Sequence, residues 1–197
     1  MIVQTSLSGR AWAELLLLSL LWGGSFLAIR LSLAEIGVFW AVAHRVGWAA
    51  LILWLYVIWR GIAIPRRLSV WGAFLVMGAL NNAIPFTLMA WGQLHIETGL
   101  PSILNAATAI FGVLVAALVF ADERLTLRKI TGVGLGFAGV VTAVGADALL
   151  QFDVRSIAQI AIILGTISYA FASACAKARL SDLPPQVAAA GMLTGSS

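Results

Sequence analysis

Arg45 lies in the run VFWAVAHRVGWAALILWLYVIW, where almost no other side chain can pair with water. A guanidinium in such a setting attracts an anionic or zwitterionic ligand, or it snorkels to an interface or ties down Glu35 in the neighbouring loop. His44 precedes it, but adjacent helical residues point about 100° apart, so the two cannot share a face. His44 can take up protons near neutral pH, with a neutral packing role as the alternative.

Other polar residues interrupt apolar segments in the same way. Asn81 and Asn82 are adjacent amides, and Pro85 follows one turn later. Pro85 has no N–H for the carbonyl of Asn81, which frees an acceptor at mid-segment. Either the asparagines line a cavity, or they bond to neighbouring helices. Trp22, Gly23, Gly24 and Ser25 interrupt another segment. The glycines permit close backbone approach, and Trp22 has a wide face for stacking on an organic molecule. Asn105 and Thr108 share a helical face at i, i+3 and either extend a polar lining or pack. Gly132, Gly136 and Gly139 form a smooth ridge suited to helix packing, within the chain or between copies. No chemistry is assigned to the charged stretch DERLTLRK, where Asp122 and Glu123 are placed to cap the next helix electrostatically.

The elements that position these residues follow from composition. The chain has 197 residues, 61% hydrophobic and only 10% charged, against about 25% charged in soluble domains. Its mean hydropathy is +1.01. The apolar residues fall in blocks of about 20, the length a helix needs to cross a bilayer. The expected fold class is therefore all-α: a polytopic transmembrane helix bundle in lipid. Six spans are predicted, over 12–33, 38–59, 70–91, 100–120, 130–146 and 157–176, followed by the opening of a seventh in QVAAAGMLTGSS. Span one is longer than a signal-peptide core, and no clear cleavage site follows it. Trp12, Trp59, Trp71 and Trp91 fall near span ends, as an aromatic belt requires; Trp22 does not.

Arg10, Arg60, Arg66, Arg67, Arg124, Arg128, Lys129, Lys177 and Arg179 all fall on one side of these spans. By the positive-inside rule this places the N-terminus in the cytoplasm. The basic balance thus has a membrane explanation and does not call for nucleic acid. The lone Cys175 excludes an internal disulfide, and Cys175, His44 and His95 are too scattered for a metal site. No metal or other cofactor is expected.

WGGSFLAIRLSLAE from Trp22 aligns without a gap on YAFASACAKARLSD from Tyr169. The offset pairs Trp22 with Tyr169, Arg30 with Lys177 and Glu35 with Asp182. Five spans separate the copies, so they run in opposite directions through the membrane. Inverted repeats are the signature of secondary transporters, with a site near the midplane at the repeat interface. Trp22 and Tyr169 are both expected to line that pathway.

LLWGGSFLAIR, HRVGWAALIL, NNAIPFTLMAWGQLHIETGLPSILNA and ADERLTLRKITGVGLGFAGV carry a resemblance that covers essentially the whole chain. The chain resembles the EamA-type branch of the drug/metabolite transporter superfamily. The resemblance implies ten helices in two inverted five-helix repeats. Residues 1–147 would be the first repeat, and 148–197 an incomplete second one, so the chain is expected to be a piece of a longer protein. Related sequences often carry a proline soon after the span-four Asn; Ala109 stands there instead, removing that cause of a kink.

The reading that follows is a secondary transporter of the cell inner membrane, exporting small organic metabolites or drugs by alternating access. Its expected pathway residues are Trp22, Ser25, Arg45, Asn81, Asn82, Asn105 and Tyr169. Proton coupling is what the resemblance implies. Glu14 is the only acid of span one and lies near its cytoplasmic end, which, with Arg45, argues against a cation exporter. The alternatives are a non-transporting subunit, an inactive truncated fragment, or a homodimer that rebuilds a pathway. An intramembrane enzyme would need paired acids, a Ser–His pair or HExxH, and the spans contain none of these.

Overall fold

The computed structural model describes residues 8–97 and 99–197; residues 1–7 of the expected first repeat, and Thr98, lie outside the described residues. Six helices are long and apolar enough to cross a membrane: α1 (Gly9–Ser32), α2 (Val38–Trp59), α3 (Leu68–Gln93), α4 (Gly99–Val119), α5 (Leu127–Val144) and α6 (Ile157–Arg179). A shorter helix, α7 (Pro185–Thr194), follows. No strand occurs among the described residues. The chain is an all-α polytopic membrane protein, and the span ends fall within a few residues of those expected from hydropathy.

Local chemistry sets several boundaries. Ser8 and Thr126 start α1 and α5 by accepting the backbone N–H groups of Ala11 and Lys129 at 3.2 and 3.3 Å. Their side chains satisfy donors that a helix start leaves unpaired. Gly145, at φ +106°, ends α5 in a conformation that disfavours other residues.

α6 is the central helix, packed against the second half of α3 and against α4. Small residues line its buried face, among them Ala158, Ala161, Gly165, Ala170, Ala172 and Ala174, which lets neighbouring backbones approach. α7 packs against α2 and the first half of α3. The resulting apolar cluster joins Val57, Phe74, Met77, Ala172, Leu180 and Val187. By contrast, α1 and α5 contain no buried residue.

Two helices depart from regular geometry. In α3 a π-turn spans Ala79–Ala83, and the N–H of Ile84 reaches back to the carbonyl of Ala79. That register takes Ile84 away from Leu80, its partner in a regular helix. The hydroxyl of Ser168 on α6 donates to the Leu80 carbonyl at 2.7 Å instead. The sequence pattern around Pro85 thus produces a widened turn bonded to the next helix. In α4 the helix breaks at Ala107, whose N–H pairs with Leu104 three residues back at 3.1 Å. Span four is therefore interrupted without a proline at Ala109; a tight i→i−3 turn does this alone.

Candidate functional site

Five helices converge on one small chamber. α1 contributes Trp22, Ser25, Phe26 and Ile29, α2 Arg45, α3 Phe86, Met89 and Gln93, α4 Asn105, and α6 Tyr169. Its free volume is about 20 Å³, room for a single water molecule. Trp22, Ser25, Arg45, Asn105 and Tyr169, five of the expected pathway residues, meet here. The repeat-related pair Trp22 and Tyr169 reach the same chamber from α1 and α6.

Arg45 faces inward because α2 buries Val42, Val46 and Ala50, and position 45 flanks that stripe at i+3 from Val42. His44 points outward and lies against Trp40, ring centroids 6.0 Å apart. The Arg45 guanidinium sits 4.0 Å over the ring of Phe86, a cation–π contact. Phe86 in turn meets Tyr169 edge-on, with centroids 6.4 Å apart. Among the described residues no carboxylate lies within 4.0 Å of Arg45. It therefore does not tie down Glu35; its charge is turned onto an aromatic face and lacks an anion.

Gln93 was not legible as a site residue, since a glutamine near a span end reads as interface polarity. Its signal lies in spacing: Phe86, Met89 and Gln93 recur at i, i+3 and i+7 on one face. Gln93 is 1% exposed. Both polar atoms of its side chain, and the hydroxyl of Thr108, are buried without a partner among the described residues. Ser25 is less available, because its hydroxyl donates to the Trp22 carbonyl at 2.7 Å.

Asn81 and Asn82 do not join this chamber. Asn82 is buried at 2% exposure and donates to the Met192 carbonyl at 3.4 Å and to the Ser196 hydroxyl at 3.2 Å. Asn81 donates to Asn82 and to the Met192 sulfur, and it borders a separate cleft of about 460 Å³ beside α6 and α7. The π-turn aims both amides at α7, so they bond helices together there. Nor do Gly23 and Gly24 serve a close approach: a Cβ on either would meet nothing within 4 Å. The same holds for Gly132, Gly136 and Gly139. Their ridge is exposed and packs on no other part of the described chain, because α4 meets α5 on another face.

Ionic and polar tethers bracket the chamber. At one end, Arg30 in the last turn of α1 donates through Nη1 to the backbone carbonyl of Gln93. At the other, Lys177 in the last turn of α6 meets Glu123 Oε1 at 2.9 Å and Asp122 Oδ2 at 3.6 Å. Lys129 holds the second Glu123 oxygen at 2.5 Å. The loop before α5 thus anchors α6, where the sequence suggested only helix capping; Thr126 provides that cap. Arg30 and Lys177 are the two cations paired by the repeat.

The Lys129 and Lys177 hydrogen bonds pull the Glu123 carboxyl from its ordinary 4.5 down to about 2. A depressed carboxyl stabilises the fold above its unfolded value and loses that contribution as pH falls through the folded one. The tether is therefore expected to stay ionised at pH 7, weakening only between about 4.5 and about 2. Infrared titration of the carboxylate band checks this. With Lys129→Gln and Lys177→Gln combined, the Glu123 transition should return towards 4.5; an unmoved transition would refute the assignment.

The EamA-like transporter family matches residues 9–145. A probable terminal-alkyne amino-acid exporter of Streptantibioticus cattleyicolor is 31% identical over 166 residues, covering 83% of this chain and 55% of that protein. An uncharacterized transporter of Archaeoglobus fulgidus is 31% identical over 144 residues, 73% of this chain and 48% of its own. Protein PagO of Salmonella typhimurium is 28% identical over 129 residues, 64% and 41% respectively. The chain spans about half the length of these curated relatives. No solved structure matches it.

Proposed function

Because the chain belongs to the EamA-like transporter family, we propose that it is the part of a secondary transporter that carries a small organic metabolite outward by alternating access. The substrate site is the chamber around Arg45. The observation that carries this reading is the unpaired guanidinium itself, an intramembrane charge held over Phe86 in a space walled by aromatic rings. Intramembrane charges mark substrate or ion pathways more often than they stabilise a bundle.

The repeat boundary near residue 147 fits the same mechanism. α1 opens one repeat and α6 the other, and each ends in a cation that tethers a neighbour, Arg30 to Gln93 and Lys177 to Glu123. With both tethers closed the chamber is narrowed to about 20 Å³, while Ser25, Ile29 and Arg45 also border an open groove that runs to Ser32 and Ala41. Releasing Arg30 opens it on the outer side, and releasing Lys177 on the cytoplasmic side where the N-terminus also lies. In this reading the protein belongs to the cell inner membrane. Ion or substrate gradients drive the cycle, with protons the default coupling ion. Export as the direction is supported by the naming of the Streptantibioticus cattleyicolor relative.

Comparing the small molecules in the medium of cells that do and do not produce the protein tests this proposal. One or more metabolites should accumulate outside producing cells severalfold, and an uncoupler should abolish the difference. Identical media would refute export.

A further inference from the structure

We propose that the side-chain amide of Gln93 is a ligand-reading group: with Arg45 it selects a carboxylate that carries an N–H or O–H donor on the adjacent carbon. The proposal rests on the reading of the chamber as a substrate site and specifies which chemistry fits it.

Gln93 presents two donors and one acceptor oxygen, all buried at the chamber wall without a partner among the described residues. Native interiors rarely leave such groups unsatisfied, so a group outside this chain pairs with them. Apart from Ser25 and Asn105, the surrounding surface is apolar or aromatic, from Ile29, Met89, Phe86, Trp22 and Tyr169. Arg45 is the one charged side chain in the lining. A ligand therefore brings its negative charge to Arg45, whose planar fork matches a carboxylate. Nε2 of Gln93 can share that carboxylate, which leaves Oε1 needing a donor. An amino or hydroxyl group on the next carbon supplies it, whereas a plain carboxylate leaves the oxygen unpaired and desolvated. Among the described residues no acid lines the chamber, so an ammonium without a carboxylate has no counter-charge there.

The backbone of Gln93 adds a consequence. Its carbonyl is the acceptor for Arg30, so the tether at the end of α1 holds the residue that reads the ligand. Releasing the tether loosens Gln93, and ligand release follows from the same movement.

The test uses the protein in detergent micelles and three probes that share an apolar body: L-leucine, L-2-hydroxy-4-methylpentanoate and 4-methylpentanoate. Thermal unfolding is followed against probe concentration. The first two are expected to stabilise the wild type at concentrations about tenfold lower than the third. Gln93→Leu should remove that discrimination, and Gln93→Met, which keeps the unbranched length, covers the case in which the leucine variant does not fold. Three probes acting equally on the wild type, or none acting, would overturn the proposal. So would lowered stability with discrimination intact, which would assign the amide to a structural water. Export that persists without discrimination removes only the role of Gln93; absence of export removes the underlying reading.

Discussion

Arg45→Gln is expected to lower export of the protein's substrate by about tenfold to a hundredfold, while His44→Gln leaves it unchanged. The two residues are neighbours in sequence and lie at similar depth, yet only Arg45 faces the chamber; His44 faces away beside Trp40. A hydrogen bond to a charged partner contributes about 1.5–3 kcal/mol, and about 1.4 kcal/mol corresponds to a factor of ten. Glutamine keeps the polarity and much of the length of arginine but loses the charge. Arg45→Lys should fall between the two, since a lysine keeps the charge but not the planar group that lies on Phe86. Vesicles containing each variant, assayed with the metabolite identified by the export comparison, provide the measurement. Equal loss in the Arg45 and His44 variants would deny the chamber its role.

The second large effect concerns packing. Gly78→Ala is expected to destabilise the protein by about 1–3 kcal/mol or more, as overpacking does where nothing can yield. A Cβ at position 78 would fall on the Gly195 backbone and 2.6 Å from the Met192 carbonyl oxygen. Both obstacles are backbone, so α3 and α7 must separate. Separation stretches the Asn82 bonds to Met192 and Ser196. It also loosens the cluster around Phe74, which is 1% exposed. In an open helix the same substitution stabilises by up to about 1 kcal/mol. Gly112→Ala, whose Cβ would meet nothing within 4 Å, is the control. Denaturation in micelles should show opposite signs for the two variants, and matching responses would refute the close contact.

How much of this was readable beforehand depended on the kind of property. Burial in lipid leaves a one-dimensional mark, because a helix must satisfy its own backbone and stay apolar for about 20 residues. The spans and the separation of Arg45 from His44 rest on such local periodicities, and the pairing of Trp22 with Tyr169 rests on the repeat. Gln93 left no comparable mark, since its importance comes from missing partners, and partners belong to other helices. The loop acids Asp122 and Glu123 read as capping residues because Lys177, 54 positions beyond Glu123, carries no sequence sign that it will meet them.

Asn81 and Asn82 show the boundary most sharply. Two amides ahead of a proline establish that α3 is irregular there, and the π-turn across Ala79–Ala83 bears that out. Which way the irregularity turns them is a matter of helical phase. A residue added to one turn rotates the side chains around the axis, and here they meet α7 rather than Arg45. The sequence by itself determined that this chain is a bundle of membrane-spanning helices with a few polar groups held at depth. Only the tertiary structure decided which of those groups share a chamber, because hydrophobic length is additive along a chain while contact depends on the rotation and packing of several helices at once.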